Sequence, residues 1–200
     1  MHLQAMCMSE RGWEDVDDLA TVVELRHDPD RLVWIESDVS NASEDDLQGL
    51  AKEFDLDELA IEDALEARQR PKLEPYPGHL LVVLYQLDEV DDQLEQHQIA
   101  AFAGRGFMIV LHHGAQRLVG EVRKRIEGRT DEFADEMDTV DDLLHALLDA
   151  AVDDYELKAA ALGDEVEELE MQGLAAARAV TRSDTQGELP DQAVLYTVKQ

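Results

Sequence analysis

The sequence predicts an α/β fold, an αβα layered domain with a mostly antiparallel central sheet, followed by a long helical extension. Three strand-like runs follow one another between residues 79 and 112, joined by short turns. The first of them contains the run LLVVLY, which is apolar on both faces and therefore needs a packed layer on each side of the sheet. Apolar residues at steps of three and four across 139–170 predict one long helix of about 45 Å.

The N-terminal part favours a β-hairpin. Residues 21–26 (TVVELR) and 31–36 (RLVWIE) are rich in β-branched and aromatic side chains, and the turn signal Asp28-Pro29-Asp30 separates them. The residues before this hairpin show no comparable pattern, so we expect 1–19 to be an N-terminal tail.

Two helices are predicted next. Ser43 followed by Asp46 resembles a capping box and opens a helix with apolar residues at helical spacing. A second, shorter helix covers residues 57–67, and Pro71 excludes its continuation.

The sheet continues as an antiparallel meander of residues 79–87, 94–103 and 107–112. An acidic turn at 91–92 joins the first two strands, and Gly104-Arg105-Gly106 joins the last two. The glycine pair lies between two strands and lacks a third glycine, so it predicts a hairpin turn and not a phosphate-binding loop.

The C-terminal third is predicted to be mostly helical. A helix over 116–127 precedes the long one, residues 173–189 are rich in Ala, Gly and polar residues, and Pro190 suits the first turn of another helix. The predicted organisation is an N-terminal tail (1–19), an α/β domain (20–137), a long helix packed on the domain (138–171), a loop (172–189), and the start of a further helix that the sequence cuts short (190–200).

Composition limits the function. The 200 residues, 44% of them hydrophobic, suffice for one compact core. A formal charge of -30 repels nucleic acid and anionic lipid and attracts cations. Solubility or salt adaptation would also account for most of these carboxylates, so the charge alone locates no site.

Cellular location is predicted from cysteine usage and hydropathy. Cys7 is the single cysteine, which excludes an internal disulfide and suits a reducing compartment. The longest apolar stretch free of charged residues, 75–87, is too short to span a bilayer, which takes about 18 apolar residues. The N-terminus has no secretory signal pattern, so we expect a soluble segment in the cytosol.

Enzymatic signatures are missing from the sequence. It contains no GxxxxGK[ST], GxSxG or HExxH motif. His2, His27, His79 and His97 have no carboxylate or histidine partner at helical metal-ligand spacing. A metal-assisted phosphoester hydrolase would need a general base and a phosphate-holding loop, and neither is found. We therefore expect no catalytic activity.

Two acidic clusters stand out, and the one on the long helix is a candidate cation site. Carboxylates stacked along one helix face repel one another by a few tenths of a kcal/mol per pair, and a hard dication such as Mg2+ would relieve this repulsion. One cluster is a stripe on the long helix, Asp142, His145, Asp149, Asp153 and Glu156. The other lies on the short helix, Glu58, Glu62, Asp63 and Glu66, beside a basic island of Arg68, Arg70 and Lys72 that we expect to form ion pairs.

Residues 50–87 (LAKEFDLDELAIEDALEARQRPKLEPYPGHLLVVLYQL) resemble the CorA family of Mg2+ and Co2+ channels, with its helix ending in Glu-Asp, QRPK turn and apolar strand. LLHALLDAAVDDYE at 143–156 is similar to the start of the family's long helix, and VLYTVKQ at 194–200 to the opening of its stalk helix. The resemblance implies a homopentamer with a cytoplasmic funnel of αβα domains, attached to the membrane only through helices that this sequence does not include.

The resemblance also implies the ligands. Family members bind divalent ions between neighbouring cytoplasmic domains, and the matching positions here are Glu62, Asp63 and Asp149. The expected function is that of a regulatory domain that senses Mg2+, or alternatively Co2+ or another divalent cation. The domain is expected at the cytoplasmic face of the cell membrane, as part of a channel that spans it. Two alternatives stay open: the cytoplasmic domain of a zinc transporter of the ZntB branch, and an acidic helical interaction module without a specific ion site.

Overall fold

The computed structural model describes residues 3–9, 12–91, 93–127 and 139–183. The chain divides into two compact units, Met1–Tyr155 and Glu156–Gln200. The first unit holds a seven-stranded sheet, four helices and the first part of a fifth. The second holds the remainder of that fifth helix. The described elements, in chain order, are β1 (Gln4–Ser9), β2 (Gly12–Asp15), α1 (Leu19–Leu25), β3 (Val33–Asp38), α2 (Glu44–Phe54), α3 (Glu58–Leu65), β4 (Lys72–Tyr76), β5 (His79–Val90), β6 (Gln93–Gly104), β7 (Phe107–His112), α4 (Gln116–Glu127) and α5 (Val140–Ser183).

The sheet has the strand order β2-β1-β3-β7-β6-β5-β4. Its neighbouring strands pair antiparallel except for β3 and β7, which are parallel. The predicted meander is therefore confirmed as β5, β6 and β7, and so is the mostly antiparallel sheet.

Each face of the sheet carries its own apolar core, because successive side chains of a strand point to opposite faces. In β5, Leu81 and Val83 belong to one core, whereas Val82 and Leu84 belong to the other. Helices α1, α2 and α3 cover the first face, and α4 with the N-terminal part of α5 covers the second. This arrangement confirms the αβα layering expected from the LLVVLY run.

One edge of β5 is completed by helix side chains. Strand β4 pairs only with the first residues of β5, up to Val83. Further along that strand, the Tyr155 hydroxyl bonds the main chain of Tyr85, and the Asp154 carboxylate accepts from the Leu87 amide at 3.3 Å. Arg117 donates to the Leu87 carbonyl oxygen at 3.1 Å. Main-chain groups that would otherwise need another strand are satisfied in this way.

The N-terminal prediction was wrong in two respects. The predicted tail, residues 1–19, contains β1 and β2, and β1 is the antiparallel partner of β3. Residues 21–26, predicted to be a strand, lie almost entirely within α1. The Asp18 side chain caps this helix by accepting from the Thr21 amide, and Val22 is buried. A cap and a buried face outweigh the β-propensity of Thr-Val-Val, which is a weak preference.

The predicted loop at 172–189 was also wrong over its first part, because α5 continues to Ser183. The segment LAAARA consists mainly of strong helix formers, and the single Gly173 costs only about 1 kcal/mol, too little to end a long helix. Residues 184–189 and the predicted helix start at 190–200 lie outside the described residues, as do residues 128–138 between α4 and α5. Within the described ranges, no helix has the length and apolarity needed to cross a bilayer.

Candidate cation site

Helix α3 presents two of the predicted ligands. The Asp57 side chain caps its N-terminus by accepting from the Leu59 amide at 2.9 Å. Ala60, Ile61 and Ala64 are buried, which anchors one side of α3 against the sheet. Glu62 is exposed and Asp63 is partly exposed, so both carboxylates can be reached from solvent.

Asp63 forms an ion pair with Lys72 at the start of β4. The same Lys72 ammonium lies 2.9 Å from Glu74, and hydrogen bonds to Asp63 and Glu74 raise the pKa of Lys72 to about 12. Lys72 also lowers the pKa of the Glu74 carboxyl. The expected ion pairing of the basic island is thus seen at Lys72, and any metal cation at Asp63 must compete with this ammonium group.

The main chain around Asp63 is held by Gln98 of β6. Its amide nitrogen donates to the carbonyl oxygens of Asp63 and Glu66 at 3.2 and 3.1 Å, and its oxygen accepts from the Gln69 amide at 2.8 Å. Gln98 is 2% exposed, so these bonds fix the end of α3 and the turn after it. Sequence reasoning missed this residue, although a glutamine directly before the apolar run IAAF, within a predicted strand, was the available signal.

Asp149 lies on α5 within the first unit and is paired with Arg125 of α4. The distance from Arg125 Nη1 to the Asp149 carboxylate is 3.1 Å, and the same guanidinium bonds Glu121 at 2.7 Å and Asp153 at 3.3 Å. These carboxylates raise the pKa of Arg125, with the Glu121 hydrogen bond contributing most. Asp149 remains about half exposed.

The other members of the predicted α5 stripe have separate surroundings. Asp142 accepts from the Thr139 amide at 3.0 Å, next to the start of the helix. His145 is exposed, and Glu156 belongs to the second unit. The stripe is therefore not one continuous ligand set. Asp149 and Asp153 are the two members that contact the same basic side chain, that of Arg125.

The structure does not bring Glu62 and Asp63 together with Asp149. Helix α3 packs on one face of the sheet, whereas the N-terminal part of α5 packs on the other. Within the described residues, no three His, Cys, Asp or Glu side chains are grouped so that they could hold a metal ion. The donors themselves suit a hard cation, since Mg2+ prefers carboxylate oxygens and keeps part of its water. A site that uses both positions needs two copies of the domain.

Comparisons with known proteins give the same fold. This chain is 29% identical over 128 residues to the cobalt/magnesium transport protein CorA of Thermotoga maritima, an alignment covering 63% of this chain and 36% of that protein. The soluble domain of CorA from Methanocaldococcus jannaschii matches with a TM-score of 0.64 at 17% identity, over 86% of this chain and 64% of that one. The ZntB cytoplasmic domain from Vibrio parahaemolyticus matches with a TM-score of 0.63 at 12% identity, over 82% and 63%.

The matched region spans about a third of the length of the curated relatives. The sequence profile of the family described as CorA-like Mg2+ transporter protein matches residues 29–191, which include both acidic helices and most of the sheet. This chain belongs to the CorA-like Mg2+ transporter protein family.

Proposed function

We propose that this chain is the Mg2+-sensing, cytoplasmic regulatory domain of a CorA-type channel for divalent cations, without catalytic activity of its own. The observation that carries the proposal is the placement of accessible carboxylates in two different layers, Asp63 and Glu62 on one face of the sheet and Asp149 on the other.

This placement suits a ring of identical subunits. When one face of a protomer contacts a different face of the next, the contact is heterologous, and it forms a ring when the rotation between neighbours closes. The α3 face of one domain would then meet the α5 face of its neighbour, and a cation at the contact would have oxygen ligands from both. The homopentamer that the family resemblance implies is one such ring.

Sensing follows from charge. A bound dication offsets the repulsion between carboxylates of neighbouring domains, so occupancy favours the closely packed, closed ring. When Mg2+ falls, that repulsion favours separation of the domains and an open channel. The ion regulates because it binds the two states with different affinity.

Lys72 and Arg125 set the concentration range over which the site would respond. Each occupies one of the carboxylates in the isolated domain. Both ion pairs are partly exposed, so each contributes at most about 1 kcal/mol and can be displaced. A dication that is coordinated by carboxylates of two protomers at once is bound more strongly than a single lysine or arginine in an exposed ion pair.

The test is thermal unfolding of this chain with and without Mg2+, at an ionic strength held constant with NaCl. A specific ligand raises the midpoint by mass action, and we expect Asp63→Asn with Asp149→Asn to remove the increase. Equal midpoints in the two salts would contradict the proposal and favour an acidic interaction module. Titration with Mg2+, Co2+ and Zn2+ identifies the preferred ion and so separates a CorA-like from a ZntB-like domain.

A further inference from the structure

A cleft of about 560 Å³ opens at one end of the sheet, on the side covered by α2 and α3. Four loops form it: the α1–β3 loop, the α2–α3 connection, the β4–β5 turn and the β6–β7 turn. Its size is within the usual range for small-molecule sites. None of the residues proposed to bind the cation lines it.

Three arginines converge on this cleft: Arg26, Arg31 and Arg105. The whole chain has only 17 lysines and arginines against 47 acids, so a cleft lined by three arginines is a local excess of positive charge. Guanidinium groups bind phosphate oxygens through pairs of parallel hydrogen bonds, which makes arginine the preferred residue for phosphate recognition.

Arg26 is held in place before any ligand arrives. Its guanidinium lies 5.1 Å from the centre of the Phe54 ring, and its side chain is 12% exposed. It donates to Asp55 at 3.1 Å and contacts His27 at 3.5 Å. A guanidinium has five N–H donors, so donors remain for a ligand in the cleft.

Arg105 is brought to the same place by the β6–β7 turn. The following residue, Gly106, has a φ of +78°, and a Cβ there would lie 3.3 Å from the Arg26 carbonyl oxygen. The tip of the hairpin therefore packs directly against the main chain of the α1–β3 loop. Arg105 is exposed and has no ion-pair partner among the residues that the structure describes.

The acids at the cleft are weak competitors. Asp55 is 87% exposed, and Asp28 is about half exposed and lies 3.8 Å from Arg31. Both carboxylates are well solvated although Arg26 itself is not, so each acid gains little from its pairing and a multiply charged anion can replace it. Arg31 also donates to the Met8 carbonyl oxygen at 3.1 Å, which ties β1 to the loop and gives it a structural role as well.

We infer that this cleft binds a small phosphate-bearing anion, with Arg26 and Arg105 as its main ligands. This site is separate from the cation site and does not depend on the proposed function. The strongly negative surface elsewhere disfavours non-specific anion binding, so an interaction confined to this cleft can be distinguished from general screening.

The experiment titrates this chain with sodium pyrophosphate, which carries two phosphate groups for two arginines, in EDTA at constant ionic strength. Binding is followed by calorimetry and by the amide resonances of Gly78 and Gly106, both in the cleft. We expect saturable binding that Arg105→Gln weakens by about tenfold or more, consistent with loss of a charge-assisted contact. The matched control is Lys124→Gln, which removes one charge from an exposed position on α4 in the opposite layer.

Weaker binding by Arg105→Gln but not by Lys124→Gln, with amide chemical-shift changes of the parent chain confined to the cleft, supports the inference. Equal weakening in the control, equal binding of sulfate, or full binding by Arg105→Gln overturns it. Because divalent ions are removed and Asp63 and Asp149 are intact, failure here leaves the proposed cation function untouched.

Discussion

The hydroxyl of Tyr155 makes hydrogen bonds with both main-chain groups of Tyr85. It accepts from the Tyr85 amide at 3.0 Å and donates to the Tyr85 carbonyl oxygen at 2.6 Å. One side chain of α5 thereby replaces a missing neighbour strand at the edge of β5. Tyr155 is the last residue of the first unit, so this contact fixes the part of α5 that carries Asp149 against the sheet.

Replacing Tyr155 by Phe should destabilise the first unit. The variant keeps the ring but leaves two main-chain groups without their partner, and we expect a loss of about 1–3 kcal/mol in the free energy of unfolding. Urea unfolding followed by circular dichroism measures it. The matched control is Tyr76→Phe, whose hydroxyl meets the partly exposed Glu74. The control should change stability by no more than about 0.5 kcal/mol, and equal losses would refute the edge-completing role.

Gln98→Leu should lower the free energy of unfolding by more than Tyr155→Phe does. Leu has a similar volume, but the carbonyl oxygens of Asp63 and Glu66 and the amide of Gln69 would each lose a buried partner. We expect a loss of about 2–4 kcal/mol and faster hydrogen exchange at the end of α3. Gln93→Leu on the exposed part of the same strand is the control. Unchanged exchange in Gln98→Leu would show that the network does not hold the Asp63 segment.

Lys72→Gln should increase the response to Mg2+. Removing the ammonium group frees Asp63 from its ion pair. If that partly exposed pair contributes about 1 kcal/mol, the Mg2+ concentration giving half of the thermal shift should fall about fivefold. Lys52→Gln removes the same charge from an exposed position on α2. A fall of similar size in both variants would mean that only net charge matters.

Stability should fall as the pH drops below about 6.5, in part because of His79. Burial lowers the pKa of His79 below its ordinary value of 6.5, partly opposed by the Asp57 carboxylate. As the pH falls, the unfolded chain takes up a proton on this ring before the folded chain does, so stability is complete above pH 6.5 and declines below it. His112 has a lowered pKa for the same reason.

The variant His79→Phe isolates this contribution. His79 stacks on Tyr76 with ring centroids 5.3 Å apart, a contact that Phe can keep. Between pH 7 and pH 5, the free energy of unfolding of the variant should fall less steeply than that of the parent. Parallel pH profiles would assign the acid sensitivity to other groups.

Sequence periodicity was sufficient to predict the central strands of the sheet and the amphipathic helices. The LLVVLY run implied two covered faces, and the α4 prediction matches the observed helix from Gln116 to Glu127. It failed at residues 21–26, where β-branched residues lie in a helix capped by Asp18 and held by tertiary contacts. It also failed at β1, whose pairing with β3 joins residues far apart in sequence and is not visible in local pattern.

The candidate site was predicted only in part. Spacing and family resemblance pointed to Glu62, Asp63 and Asp149, and the structure shows them accessible on two different layers. The pairing of Lys72 with Asp63 was expected from the basic island beside the acidic helix. The pairing of Arg125 with Asp149 was not, because it joins two different helices and cannot be read from spacing along one of them.

Sedimentation velocity of this chain at high concentration tests the central claim most directly, comparing Mg2+ with NaCl at equal ionic strength. If a dication joins Asp63 of one copy to Asp149 of the next, Mg2+ should raise the sedimentation coefficient of the parent chain. Asp63→Asn and Asp149→Asn should each abolish the increase, and an equimolar mixture of the two should recover part of it, because each supplies the carboxylate that the other lacks. An identical sedimentation coefficient in the two salts, or a mixture no more responsive than its components, would contradict the account.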